Sequence, residues 1–160
     1  MPKRLLITPT IHSEKIRTVN LGKKATQLYT NKEIGKAVKL TGPGTYELCA
    51  AGDKIEGIIT SSEYSTTSAT RGEMSVGGIV CSGYFEVVST VKLAAGDFVV
   101  TGAQPAFGTP LPGIGSGGVP ALPVDKAGAS PTAPFLARVV DLGDMGTGGA
   151  GTICVAEFIN

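Results

Sequence analysis

The abundance of glycine and proline is the feature that most restricts what this chain can fold into. Its 160 residues include 23 Gly and 10 Pro. Glycine disfavours a helix through its backbone entropy, and proline lacks the N–H that a helix interior needs. Because 42% of the residues are hydrophobic and only 17% are charged, the chain is too apolar to be disordered. We therefore expect one β-rich body of short strands joined by turns.

Short apolar segments, rich in β-branched residues and bounded by turn residues, run along the chain. Lys36–Thr41 and Thr45–Cys49 both alternate polar and apolar residues and flank Gly42-Pro43-Gly44, which indicates a hairpin. Further strands are predicted at residues 54–60, 78–81, 84–88, 97–101, 135–140 and 153–159. Only residues 13–30 show a weak helical pattern. The sequence predicts an all-β fold, a small sandwich or barrel of short antiparallel strands.

One tetrapeptide occurs twice, each time directly before a predicted strand. Ala50–Asp53 and Ala94–Asp97 both read Ala-Ala-Gly-Asp. Glycine accepts a positive φ and aspartate bonds to nearby backbone N–H groups, so both copies are predicted to form tight turns.

The charge distribution divides the chain into an arm and a body. Residues 1–40 hold nine basic and two acidic side chains, a net +7, and the remainder holds five basic and eleven acidic ones, a net −6. We expect a basic, extended N-terminal arm at residues 1–34 and a β domain at 35–160. The arm is either a solvated terminus or a segment that lies on an acidic partner surface. Its candidate partner-binding residues are Lys3, Arg4, Lys15, Arg17, Lys23 and Lys24.

A Pro/Gly-rich loop insertion is predicted at residues 102–134, which contain seven prolines. Long segments without secondary structure are usually functional or disordered. Two interpretations stay open: a flexible surface loop, or a surface that packs on a neighbouring subunit. The candidate self-association residues are Pro110, Leu111, Pro112, Ile114, Val119 and Leu122.

No combination of residues in the sequence indicates catalysis or a metal. His12 is the single histidine, and its spacing to other residues favours no nucleophile-base pair. Cys49, Cys81 and Cys154 lie far apart in apolar runs, which predicts buried free thiols rather than a disulfide or a zinc site. We therefore expect a protein that is not an enzyme and has no cofactor.

Two further patterns are given structural interpretations. The Gly146–Gly151 segment matches G-x-G-x-x-G, but a strand-like run follows where a dinucleotide site needs a helix, so a hairpin loop is expected. Asp141, Asp144 and Glu157 lie near that hairpin without the D-x-D-x-D pattern of a calcium loop, and polar turn residues are expected there.

Membranes and specific nucleic acids are not expected partners. The chain has no apolar run of about 18 residues, which a membrane span needs. The apolar stretch Leu5–Ile7 is too short for a secretory signal, so synthesis in the cytoplasm is expected. Tyr29 is the only aromatic residue in the arm, which argues against base stacking.

Four stretches carry a resemblance to a known family. Short strands, an Ala-Gly-Asp turn and a Gly-(Ile/Val)-(Ile/Val) strand recur in Gly35–Leu40, Cys49–Ile59, Gly78–Val87 and Leu93–Val99. In this pattern the chain resembles the small decoration, or cement, proteins of tailed-phage capsids. The resemblance covers neither the basic arm nor the Pro/Gly-rich loop.

This resemblance implies a β module on the outer capsid surface of the virion, made in the host cytoplasm. Its partner would be the major capsid protein, whose neighbouring subunits it would bridge to stabilise the shell. The basic arm would bind the capsid, and a homo-oligomer, either a dimer or a trimer, is expected because capsid sites have cyclic symmetry.

Two other functions remain open. One is another virion or surface β-module, such as a head-fibre base, a tail component or a glycan-binding domain; exposed aromatics at Tyr64 and Tyr84 would favour a glycan ligand. The more distant one is a trimeric dUTPase-like nucleotide hydrolase, because Ser82–Val87 is similar to the uridine-binding hairpin of those enzymes. Cys81 stands where their aspartate is expected, and their phosphate-binding and metal-binding motifs are missing.

Overall fold

The computed structural model describes residues 16–22, 29–64, 75–112, 121–127, 137–142 and 151–159. A 3-10 turn, Asn31–Glu33, precedes the second of ten β-strands in these ranges. The strands are β1 Ile16–Leu21, β2 Ala37–Gly42, β3 Thr45–Leu48, β4 Gly57–Tyr64, β5 Ser75–Val80, β6 Tyr84–Ser89, β7 Val99–Thr101, β8 Leu122–Lys126, β9 Ala137–Asp141 and β10 Ile153–Phe158. The predicted all-β class, a small barrel or sandwich, is confirmed.

The strands form two sheets that follow each other in the chain. The first five close a barrel in the order β1-β3-β2-β4-β5, and the last five form a sheet in the order β7-β8-β6-β10-β9. A bridge between Phe98 and Arg138 links the two outer strands of the second sheet, so this sheet curls into an incompletely closed barrel. We call the two units the first barrel and the second barrel.

The two barrels have the same topology. When β1–β5 are matched to β6–β10 in chain order, each pairing in the first barrel has a counterpart of the same direction in the second. The first and third strands pair in parallel in both barrels. The other neighbours pair antiparallel, with the Phe98–Arg138 bridge as the counterpart of the β2/β4 pairing. The fold is therefore an internal structural duplication.

The duplication extends to the residue register. Leu40 of β2 and Leu21 of β1 both lie opposite Tyr46 of β3. In the second barrel the corresponding residues are Thr101 and Ser89, which both lie opposite Val124. These matches assign each position of one barrel a counterpart in the other.

An irregularity in the strand pairing is duplicated as well. Ile59 and Ser61 of β4 pair with two consecutive residues of β5, so one residue of β4 is left over as a bulge. Val139 and Asp141 of β9 pair with two consecutive residues of β10 in the same way. Because a bulge sets local strand twist, the two barrels bend at the same place.

A glycine of positive φ lies two or three residues before the second strand of each barrel. The Gly35 N–H (φ 86°) donates to the Ile59 carbonyl at 2.8 Å, and the Ile59 N–H donates to the Lys36 carbonyl at 3.0 Å. In the second barrel the Gly96 N–H (φ 87°) donates to the Val139 carbonyl, and the Val139 N–H donates to the Asp97 carbonyl, both at 2.8 Å. A side chain on either glycine would be strained at this φ.

Both Ala-Ala-Gly-Asp segments are the tight turns that the sequence predicts. The Asp53 carboxylate accepts from the Ala50 N–H at 2.7 Å, and the Asp97 carboxylate accepts from the Ala94 N–H at 2.8 Å. The turns occupy different places in the duplicated fold, however. Ala94–Asp97 leads into the second strand of its barrel, whereas Ala50–Asp53 connects the third strand to the fourth.

The Ala50–Asp53 turn also joins the two barrels. Its Gly52 N–H donates to the Thr101 carbonyl at 2.7 Å, and the Thr101 N–H donates to the Asp53 carbonyl at 2.9 Å. The turn thereby adds backbone partners to β7 beside the opening of the second barrel. A strand edge that would otherwise be exposed is thus paired within the chain.

Alternate residues of the first barrel serve two hydrophobic cores. Its inward side chains form one core, with Val38 of β2 and Ile59 of β4 among them. Their outward neighbours Ala37 and Ile58 belong to the second core, which also fills the second barrel. Full burial of an Ile or Val side chain stabilises the fold by about 1.5–3 kcal/mol, so the contact between the barrels is a substantial part of the fold.

Two strands lie where the sequence predicts an arm and a loop. β1 falls within residues 1–34, so Ile16–Leu21 is a barrel strand rather than a free arm or a weak helix. β8 falls within the predicted 102–134 insertion and contains Pro123. Both strands lie between two neighbours in their sheets, and this pairing outweighs their weak local strand pattern.

The three cysteines are thiols rather than disulfides, and the burial that the sequence predicts for all three is complete for two. Cys49 and Cys154 are buried and Cys81 is half-buried. Burial raises the pKa of the Cys49 thiol from 9.0 to about 11. Cys49 therefore packs as a small apolar residue of the core.

Candidate partner-binding surfaces

The predicted capsid-binding residues are only partly within the described structure. Arg17 is exposed on β1. The other five lie outside the described residues: Lys3, Arg4, Lys15, Lys23 and Lys24. Other residues discussed from the sequence also lie outside the described structure: His12, Asp144, Gly146–Ala150 of the glycine-rich segment, and residues 13–15 and 23–28 of the weak helical pattern. The side chain of Tyr64 lies outside it as well.

Arg17 lies at an open end of the first barrel that we call the first-barrel mouth. The mouth is formed where β1 and β3 begin and β2 and β5 end, and its side chains are Arg17, Leu40, Tyr46, Glu56 and Cys81. Burial raises the pKa of Tyr46, against an opposing effect of the Arg17 guanidinium. Burial also raises the pKa of Cys81, again opposed by Arg17. The mouth combines the Arg17 guanidinium and the Glu56 carboxylate with apolar and aromatic surface.

The edge of β2 is open at this mouth. β2 pairs with β4 only through Ala37 and Val38 in the described structure. Beyond them, the Leu40 N–H donates to the Glu56 carboxylate at 2.8 Å instead of to a strand. The Leu40 side chain is 50% exposed, which is unusual for a large apolar residue on a strand edge.

The outer side of the second barrel carries the other group of exposed apolar side chains. This second-barrel face consists of Tyr84, Phe98, Arg138, Val140 and Glu157. Tyr84 pairs with Glu157, Glu157 with Arg138 and Arg138 with Phe98, just before β7, and Val140 is the bulge residue of β9. Tyr84, Phe98 and Val140 are 37%, 42% and 38% exposed. The Arg138 Nε lies 2.7 Å from the Glu157 Oε1, so an ion pair crosses the middle of the face.

The beginning of the Pro/Gly-rich segment is fastened to the first barrel. We call Gly102–Pro112 the strap. The Gln104 Oε1 accepts from the Ala37 N–H at 2.7 Å, and its Nε2 donates to the Ala37 and Cys49 carbonyls at 3.1 and 3.0 Å. One amide side chain therefore ties the strap to β2 and to the end of β3. The ring of Phe107 packs edge-on against Tyr29 with centroids 5.2 Å apart.

A buried ion pair fastens the strap at a second point. The Lys36 Nζ lies 2.6 Å from the Glu33 Oε2, and both side chains are fully buried. Lys36 also donates to the Ala106 carbonyl at 3.2 Å, and Glu33 accepts from the Gly108 N–H at 3.0 Å. Both charges thus have backbone partners on the strap, as buried charges require.

The predicted self-association residues are divided by the structure. Pro110 and Pro112 are exposed on the strap, and Ile114 and Val119 lie outside the described residues. Leu111 and Leu122 are only 1% and 2% exposed. These two leucines are therefore core residues of the chain, which corrects their assignment to a surface that contacts a second copy.

A cavity of about 330 Å³ lies where the barrels meet. Its walls include Ala51 of the joining turn, Val88 and Ser89 of β6, and Pro123 and Asp125 of β8. The lining is largely apolar, and its residues with polar side chains are Ser89, Thr90 and Asp125. Its volume lies at the lower end of the range for small-molecule sites, about 300–1,000 Å³.

The two barrels differ in sequence charge. Residues 1–82 hold eleven basic and seven acidic side chains, a net +4, whereas residues 83–160 hold three basic and six acidic ones, a net −3. The two halves of one duplicated fold therefore have opposite net charge.

No three His, Cys, Asp or Glu residues in the described ranges come together as a metal site. No helix in those ranges is long and apolar enough to span a membrane. The chain matches no family model and no curated protein.

Proposed function

We propose that the chain is a virion structural protein that binds the outer surface of a phage capsid and bridges neighbouring capsid subunits. The observation that supports this best is the joining of two barrels by buried contacts into one body with two separate exposed apolar surfaces. A body of this kind transmits force between two attachment points, which a bridging protein must do.

The charge of the chain supports the same proposal. Arg17 is exposed at the first-barrel mouth, within the segment of residues 1–40 that carries a net +7. A basic segment is attracted to an acidic protein shell, and repeated attachment multiplies weak contacts through effective concentration. The proposal assigns the chain no catalytic step.

Co-sedimentation of the purified chain with phage heads lacking it tests this function. The chain is expected to bind at a saturable stoichiometry and to raise the temperature at which the heads release DNA. Arg17→Glu is expected to weaken binding, and Lys92→Glu, at an exposed position of the second barrel, is the matched control. Heads that neither bind the chain nor gain stability would contradict the proposal.

A second candidate function is glycan binding by a surface β-module. It is favoured by the exposed Tyr84, which lies opposite Glu157 and close to the Arg138–Glu157 ion pair. Aromatic rings beside polar groups are suitable for stacking on sugars. Glycan-array binding that is lost in Tyr84→Ala, without binding to heads, would favour this function over the first.

A further inference from the structure

The contact between the two barrels uses one side of the first barrel and one end of the second. On the first barrel, Ala37, Ile58 and Val80 face outward and pack in the same core as Phe85 and other interior residues of the second barrel. The Ala50–Asp53 turn completes the contact through its two backbone bonds to Thr101. Thr101 is fully buried there.

The duplication identifies the same side on the second barrel. By register, the counterparts of Ala37, Ile58 and Val80 are Phe98, Arg138 and Glu157. These residues form the middle of the second-barrel face. The side that is covered in the first barrel is thus exposed in the second.

The duplication also identifies the same end on the first barrel. The counterpart of Thr101 is Leu40, because both lie opposite the matched residues Val124 and Tyr46. Thr101 is 0% exposed, whereas Leu40 is 50% exposed. The end that receives a neighbour in the second barrel is therefore the open mouth of the first.

We propose that copies of this chain associate head to tail, the second-barrel face of one copy packing on the first-barrel mouth of the next. This contact repeats between chains the contact that joins the barrels within one chain. It pairs apolar groups, Phe98 with the surface around Leu40, that are left exposed on a single copy.

Charge favours this arrangement over a symmetric one. A contact between two first-barrel mouths brings together two halves of net +4, whereas the head-to-tail contact joins a half of +4 to a half of −3. Such heterologous contacts form closed rings when the rotation between copies closes, and filaments when it does not. The proposal does not depend on capsid binding, which would compete for the same two surfaces, so its test contains no phage heads.

Sedimentation equilibrium of the full chain tests the proposal. The wild-type chain is expected to associate, and Leu40→Lys and Phe98→Lys are each expected to raise the dissociation constant about tenfold or more, as central interface residues do. Val91→Lys, at a 47% exposed position outside both surfaces, is expected to associate like the wild type. Circular dichroism verifies that each variant is folded.

A mixture of the two variants distinguishes head-to-tail association from a symmetric dimer. Leu40→Lys retains an intact second-barrel face and Phe98→Lys retains an intact first-barrel mouth, so equal amounts of both are expected to form a 1:1 pair. A wild-type chain that stays monomeric at millimolar concentration overturns the proposal. The proposal is also overturned if only one of the two variants associates less than the wild type, or if the mixture of both forms no 1:1 complex.

Cross-linking of the wild-type chain supplies a test that needs no folded variant. A mixture of ¹⁴N-labelled and ¹⁵N-labelled chains is treated with an amine-reactive cross-linker. Mixed-isotope links between lysines of different barrels, such as Lys54 and Lys126, are expected to predominate. Predominant links between two first barrels overturn the proposal.

Discussion

Removing the cation of the buried ion pair is expected to destabilise the chain strongly. Lys36→Met leaves the Glu33 carboxylate fully buried with the Gly108 N–H as its remaining described hydrogen-bond partner. Breaking a buried pair on one side costs about 3–5 kcal/mol. At about 2–4 °C per kcal/mol for a chain of this size, the expected loss in melting temperature is roughly 6–20 °C.

A double variant separates the charge effect from the loss of packing. Glu33→Gln in the Lys36→Met background removes the unpaired charge, and the new amide oxygen still accepts from the Gly108 N–H. Neutral replacement of a buried pair is often nearly neutral for stability, so the double variant is expected to recover at least half of the loss. Lys32→Met, at an exposed position of the 3-10 turn four residues before Lys36, is expected to change stability by less than about 0.5 kcal/mol.

Urea denaturation followed by circular dichroism measures these differences. A loss of less than about 1 kcal/mol in Lys36→Met, the range of a single neutral hydrogen bond, would show that the ion pair contributes little to stability. A double variant as unstable as Lys36→Met alone would contradict the expected charge effect, because the cost would then come from packing rather than from the unpaired carboxylate.

Three further predictions concern the joining turn, a core thiol and the strap. Burial raises the pKa of Asp53, but hydrogen bonds from Lys39 and Ala50 outweigh this effect and lower the pKa below 3.8. The resulting stabilisation is present at neutral pH and is lost as the pH falls below about 4. Asp53→Asn should therefore flatten the acid limb of a stability–pH curve, and an unchanged limb would contradict the assignment. Cys49, with its pKa near 11, should be alkylated at pH 8 on the order of 100-fold more slowly in the native chain than in urea; equal rates by mass spectrometry would show an accessible thiolate. Gln104→Ala should destabilise the chain by about 1–3 kcal/mol by leaving strand backbone groups without their partner, and proteolysis should then cut the strap faster; an unchanged rate and melting temperature would mean that the amide does not hold it.

The sequence predicts strands well where the pattern is local. Eight predicted segments overlap strands of the structure, and the Pro43-Gly44 hairpin and both Ala-Ala-Gly-Asp turns form as expected. These features depend on alternation and on turn residues, which a short window contains. β1 and β8 depend instead on neighbours that are distant in the chain, so their own residues give little sign of them.

The duplication could not be predicted because its matched positions share little chemistry. Leu40 corresponds to Thr101, and Tyr46 corresponds to Val124. The second and third strands are joined by two residues in the first barrel and by twenty in the second. Backbone pairing, rather than side-chain identity, preserves the common fold.

The buried contacts of the strap were also beyond a local pattern. Lys36 and Glu33 look in the sequence like surface charges of a basic segment, yet their partners Ala106 and Gly108 come from about 70 residues further along the chain. Among the predicted capsid-binding residues, Arg17 is exposed on β1, and its binding to a capsid stays a prediction. The prolines and glycines around Leu111 and Leu122 predict a surface position, but both leucines are buried.

Cryo-electron microscopy of phage heads incubated with the chain tests the bridging role most directly. Ordered density for two linked barrels is expected on the outside of the shell, in contact with at least two neighbouring capsid subunits. Saturated heads with no added density, or density that touches a single capsid subunit, would contradict a bridging role.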